Sequence, residues 1–363
     1  MRYTLRVKKH HAVVPLLCLS FLFGACAADE SDDPSSWDLR DGSVGEPEVL
    51  ATFNPAFGET PESVALDADN NAYVSLALTG EIRKVTPEGD QSTLAFIPLG
   101  PPELCQGPFP GIMGALAIDV FGHLYVGAAA CDPANKGIWR IEPDGDTTLI
   151  ASLPPESLPN GIAVRAGRVY VADSGSTKIW RAPTFGQGEP AEVWTDEPLL
   201  ADPNPFDPIP GANGLQFYLG SVYVANAGAG TIVEIPFEPG GLFGGDLEAQ
   251  PGSVKYGPAD TNPDKVTPPE FPGCDDFAFD LLGRIYCATD PFQTLLRINL
   301  DGSVDTILTA EDGLDGPTAA AFGRQASKKT LYITNAQFPF FPPTGNGPSL
   351  MTLEVDVRGY PFR

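Results

Sequence analysis

Positive charge is scarce in this chain: 22 Lys and Arg stand against 47 Asp and Glu, for a net charge of −25 at pH 7. A nucleic-acid partner is excluded on that ground, because a phosphate backbone is held by a Lys/Arg surface. Histidine is almost missing as well, with three residues in all, of which His10 and His11 fall in the N-terminal segment. A single imidazole, His123, supports neither a Ser-His-Asp triad nor a histidine-rich metal centre, and no GxSxG elbow is present. None of the six cysteines shows CxxC spacing, which argues against zinc. Helical periodicity is largely absent too. What fills the 363 residues is short apolar runs broken by 39 Gly and 38 Pro, the texture of an all-β protein.

One apolar run departs from this texture. Arg2, Arg6, Lys8 and Lys9 precede AVVPLLCLSFLFGA (Ala12 to Ala25), which is too short to span a bilayer and suits a signal peptide. Gly24-Ala25-Cys26 resembles a bacterial lipobox in which Cys26 becomes the lipidated first residue, with Phe23 where Leu is usual. Cleavage after Ala27 is the competing reading. The expected organisation is a signal peptide over residues 1–25, an acidic tether over 26–45 and a folded domain over 46–363. Export to the cell envelope as a lipoprotein, or secretion, follows, with a lipid at Cys26 as the one membrane contact and a monomer as the expected state. Cys105, Cys131, Cys274 and Cys287 remain, and four cysteines in an exported chain favour disulfides with three possible connectivities. Sequence proximity alone favours Cys105–Cys131 and Cys274–Cys287.

The domain repeats itself. Six segments share an alternating strand, a Gly/Asn/Asp turn and a second strand carrying Tyr73, Tyr125, Tyr170, Tyr223, Tyr286 or Tyr332. Most copies continue into a third strand, such as GIWRIEPDG, and several into a fourth, such as TTLIAS. Four strands per unit at a period of roughly 45–60 residues describe a six-bladed β-propeller. The last unit lacks its own fourth strand, and PEVLATFN near the N-terminus is placed to supply it and close the ring.

The first residue of each innermost strand of a propeller lies near its axis. Aligning the repeats makes those residues Glu62, Gly114, Asn160, Asn213, Asp275 and Thr318, with Asp276 beside Asp275. Clustered carboxylates repel one another unless a cation sits among them. Carboxylate and amide oxygens without His or Cys suit a hard divalent cation, Ca²⁺ foremost, with Glu62, Asn160, Asn213, Asp275 and Asp276 as ligands. The plain alternative is that Asn-Gly and Asp-Asp are turn residues between blades. DADNN (Asp67 to Asn71) imitates an EF-hand loop but lacks the closing Glu, and NAGAGT (Asn226 to Thr231) links two strands; both read as turns. Trp139, Trp180 and Trp194 read as packing residues.

The repeat, together with ES at blade one, LPNGIAV and GANGLQF at blades three and four, CDDFAFD at blade five and GPTAAAFG at blade six, resembles the senescence-marker-protein/gluconolactonase superfamily of six-bladed propellers, and more distantly the paraoxonases and NHL-repeat propellers. The resemblance implies a central Ca²⁺ held at Glu62, Asn160, Asn213 and Asp275, with Asp276 where paraoxonases have a further ligand. It implies lactonase or esterase chemistry in which the metal polarises a carbonyl and Asp275 or Asp276 assists water. The paraoxonase His pair has no counterpart here. Long Pro-rich loops carrying Phe109, Phe206, Phe338, Phe340 and Phe341 are expected at the axial mouth, favouring a small apolar or aromatic lactone or ester. A calcium-dependent hydrolase is therefore expected, against a non-catalytic binding propeller with structural Ca²⁺ and a non-hydrolytic cyclase or isomerase.

Overall fold

The structure is a computed structural model describing residues 44–105, 110–203, 210–240, 246–258, 267 and 271–360. The signal peptide, Cys26, nearly all of the tether, Phe109 and Phe206 lie outside the described residues.

Each repeat folds into one antiparallel sheet, and six sheets follow one another in chain order. Blade one is typical: Pro61–Leu66, Ala72–Leu76, Glu81–Val85 and Gln91–Phe96 run from the inside outwards. Blade six takes its outer strand from the start of the domain, where Glu48–Thr52 pairs antiparallel with Ser349–Glu354 (Glu48 opposite Thr352, Thr52 opposite Ser349). The ring thus closes through its two ends, which leaves no broad unpaired edge. Two blades depart from four strands. Glu189–Pro190 adds a short parallel strand to blade two, and in blade four the long strand Thr231–Gly240 pairs with both Ser253–Tyr256 and Asp246–Ala249.

The alternation of apolar residues has a simple consequence in this arrangement. Both faces of every blade are covered, so successive residues of a strand serve two different interfaces. Among the described residues the buried side chains divide into six clusters, one between each pair of neighbouring blades, and one smaller one; Ala163, Tyr170 and Trp194 of blade three, for example, pack against Leu215 and Phe217 of blade four. Tyr170 meets Trp194 and Phe217 edge-on, each with centroids 5.2 Å apart. Trp139, Trp180 and Trp194 are buried in these clusters, as expected of packing residues. Disulfides join Cys105 to Cys131 and Cys274 to Cys287, the pairing that proximity favoured. No helix among the described residues is long and apolar enough to cross a membrane.

Candidate metal centre

The two inner strands of a blade form a hairpin, and in five blades its register slips at the same place. The slip falls between Pro61 and Ser63, Met113 and Leu116, Pro159 and Ile162, Ala212 and Leu215, and Pro317 and Ala319. Each interval contains one axial candidate: Glu62, Gly114, Asn160, Asn213 or Thr318. A bulge frees one residue from the ladder and re-aims its side chain. In blade five Asp275 and Asp276 stand just before the strand Phe277–Phe279 and grip its neighbour, Asp275 N donating to Ala288 O at 2.8 Å and Ala288 N donating to Asp276 O at 3.0 Å. Asn160 and Asn213 lie within strands, so their Asn-Gly pairs are not inter-blade turns.

The glycine after each asparagine is imposed by crowding. A Cβ on Gly161 would lie 2.2 Å from Asn213 O, and one on Gly214 would lie 2.5 Å from Asp276 Oδ1. Neighbouring blades meet backbone to backbone here. Gly214 N donates to Asp275 O at 2.8 Å, Asp276 N to Thr318 O at 3.0 Å, and Thr318 Oγ1 to Pro61 O at 3.1 Å.

Glu62, Asn213 and Asp275 are 8%, 3% and 9% exposed, while Asn160 and Asp276 are half-buried. Burial, then the charges of Asp290 and Asp276, pushes the Glu62 carboxyl up to about 8. Burial, then Glu62, Asp290 and Asp276, holds Asp275 well above the usual carboxylate range, with a hydrogen bond from the Asn213 side chain opposing. Asp276 is engaged differently: its Oδ1 accepts from Phe277 N at 2.8 Å and from Gln216 Nε2 at 3.4 Å. Sequence reasoning missed one member, Asp290, which burial and the charge of Asp315 push up to about 7. Its signal was of the same kind as at Asp275, an acid abutting the apolar run IYCAT.

Three buried acceptors in this group, Glu62 Oε2, Asn213 Oδ1 and Asp290 Oδ1, have no hydrogen-bond partner among the described residues. An acceptor buried without a donor is costly, and here the acceptors belong to side chains that also repel one another. A cation answers both conditions, and oxygen donors without nitrogen or sulfur fit Ca²⁺. Among the described residues no three His, Cys, Asp or Glu side chains form a metal-holding group by themselves. The neutral amide oxygens and solvent are therefore needed to complete a donor set.

His123 lies away from this group, with Nδ1 2.9 Å from Asp119 Oδ2 and Nε2 3.1 Å from Glu142 Oε2. The EF-hand imitation is a hairpin turn in which Asp67 Oδ1 accepts from Asp69 N and Asn71 N, both at 2.9 Å. Beside the entrances of blades one, two and six, Phe338 packs with Ala77 and Ala336 and against Leu78, Ile112 and Phe341. Phe340 stacks on Phe338 at 5.9 Å and stays 47% exposed. Asp315 holds this aromatic loop by accepting from Thr344 N at 2.9 Å and from Gly347 N at 3.0 Å.

Many solved structures resemble this one, three of them as follows. A gluconolactonase from Xanthomonas campestris has a TM-score of 0.55 at 15% identity, over 87% of this chain and 99% of that one. A regucalcin from Agrobacterium tumefaciens, described as a calcium-binding protein, has a TM-score of 0.57 at 17% identity, over 87% and 96%. In fold the chain is similar to these propellers. A luciferin-regenerating enzyme reaches a TM-score of 0.58 at 14% identity, over 89% and 98%. No family model and no curated protein matches the chain. At this identity the likeness concerns the fold alone, and one fold hosts many activities.

Proposed function

We propose that the protein is an exported, calcium-dependent hydrolase of a lactone or related ester. The observation that carries this reading is the set of buried, unpartnered acceptor oxygens on mutually repelling side chains at the axial entrances. Glu62, Asn160, Asn213 and Asp275 would hold the ion with solvent completing the donor set, and Asp276, whose Oδ1 accepts from Phe277 N, stands beside them. When bound, Ca²⁺ supplies polarisation of a carbonyl and stabilisation of the charge that develops on its oxygen. Asp275 is the residue placed to take a proton from the attacking water. Asp276, tied to Phe277 N, fixes the position of that pair. The aromatic loop with Phe338, Phe340 and Phe341 favours apolar or aromatic acyl groups over free sugar acids. The two disulfides suit an oxidising compartment, and lipidation at Cys26 anchors the domain to the envelope.

A panel of aliphatic and aryl lactones and esters, assayed with Ca²⁺ and with excess chelator, tests this. Turnover lost on chelation and restored by Ca²⁺ is expected. Ca²⁺ binding without turnover of any member would sink the hydrolase reading and leave the second one, a binding propeller stapled by Ca²⁺, which the distance of His123 from the axial group favours.

A further inference from the structure

The inner hairpins share a register that makes their residues comparable around the ring. The residue preceding each bulged position pairs with Leu76, Ala128, Asp173, Asn226 or Asn335 of the second strand. One residue further along stand Ala77, Ala129, Ser174, Ala227 and Ala336 in blades one, two, three, four and six. All are small, as a crowded centre requires. In blade five Phe277 pairs with Cys287 as Leu215 pairs with Val224 in blade four, which makes Asp290 the equivalent residue. One blade therefore carries a carboxylate where five carry Ala or Ser.

Its surroundings accommodate that acid without neutralising it. Asp290 Oδ1 is buried and has no hydrogen-bond partner. A Cβ on Gly316 would lie 2.8 Å from this oxygen, so glycine leaves the space the carboxylate uses. The arginines of blade five, Arg284 and Arg297, pair with Asp280, Asp356 and Asp305. The neighbouring acid Asp315 is occupied by the backbone of the aromatic loop. The charged groups that act on Glu62 and Asp275 include Asp290. Among the described residues, Asp290 Oδ1 is thus a buried acceptor without a donor, and the charge that acts on it is that of another acid, Asp315.

We infer that Asp290 is an outer carboxylate of the axial cation site, facing the bound ion through an intervening water rather than as a direct ligand. The outer placement follows from its place in the blade: Asp290 lies beyond the second strand Ile285–Ala288, whereas Glu62, Asn160 and Asn213 lie in the innermost strands. The inference rests on the proposed Ca²⁺ site, and it assigns to that site a residue from the end of a second strand. Such outer partners typically contribute 10–100-fold in metal affinity.

The test is Ca²⁺ titration by calorimetry, with melting of the metal-free protein, for wild type, Glu62→Gln and Asp290→Asn. The expected result for Asp290→Asn is an affinity lower by about tenfold or more, with metal-free melting unchanged or higher because a repelling charge is gone. A structural residue would instead lower the metal-free melting temperature. Affinity changed by less than about fivefold in Asp290→Asn, while Glu62→Gln abolishes binding, overturns this inference and leaves the proposed site standing. Parallel loss of affinity and metal-free stability overturns it as well. Wild type that binds no Ca²⁺ removes the site itself, and the inference with it. If Asp290→Asn does not fold, Asp290→Ser is read by the same criteria, and failure of both counts against the outer-ligand role.

Discussion

Dialysing the protein free of divalent ions and raising the pH from 5 to 8 should progressively destabilise it. Glu62 has an ordinary carboxyl value of 4.5 unfolded and is pushed up to about 8 in the fold. Between those values the folded state holds a proton that the unfolded state has released, so stability falls as pH rises. A displacement of this size is worth about 5 kcal/mol once the pH exceeds both values. Asp290, pushed up to about 7, acts in the same direction. At about 2 °C per kcal/mol for a domain of this size, the metal-free melting temperature should fall by roughly 10 °C across the window. Carboxyls held below their ordinary values, such as Glu81, Asp119, Glu234 and Asp305, are ionised in both states there and do not contribute. Saturating Ca²⁺ stabilises the folded state by mass action and should flatten the profile, with its largest effect near pH 8. Differential scanning calorimetry at pH 5, 6.5 and 8, with and without Ca²⁺, measures this. A metal-free profile that is flat or rises with pH, or a Ca²⁺ increment independent of pH, would refute the reasoning.

Asn160→Ala and Asp275→Ala should each weaken Ca²⁺ binding at least tenfold by calorimetry, in the range of lost metal partners; unchanged affinity means the ligands are elsewhere. Arg284 joins Asp280, which is 0% exposed, at 2.5 Å and Asp356 at 2.8 Å, linking blade five to the chain after blade six. Arg284→Ala removes the only cationic partner of buried Asp280 among the described residues and leaves Asp356 with Arg297 at 4.0 Å; it should cost about 3 kcal/mol in denaturant unfolding, with Ca²⁺ affinity intact. Deleting Glu48–Thr52 exposes the edge of Ser349–Glu354 and should give a protein that self-associates, read by light scattering.

The blade count, the outer strand borrowed from PEVLATFN and the equivalent strand-entrance positions of Glu62, Asn160, Asn213 and Asp275 were legible because a repeat compares a residue with its own counterparts. Alternation is local, so it survives in one dimension. The disulfide pairs were accessible by proximity, since Cys274 and Cys287 lie on adjoining strands of one hairpin. Asn-Gly as a turn and Asn-Gly as a bulge look identical until strand pairing is known, and the slip at Ala212/Leu215 decides between them.

Sequence alone therefore determined an all-β ring of six blades with oxygen-bearing residues at its strand entrances, through patterns that each repeat carries within itself. Tertiary structure alone decided that the charge of Asp290 acts on Glu62 and Asp275, that Asp315 clamps the aromatic loop, and that His123 pairs with Asp119 and Glu142. The physical reason is that these relations depend on which oxygen reaches the axis once bulged strands from different blades have closed around it.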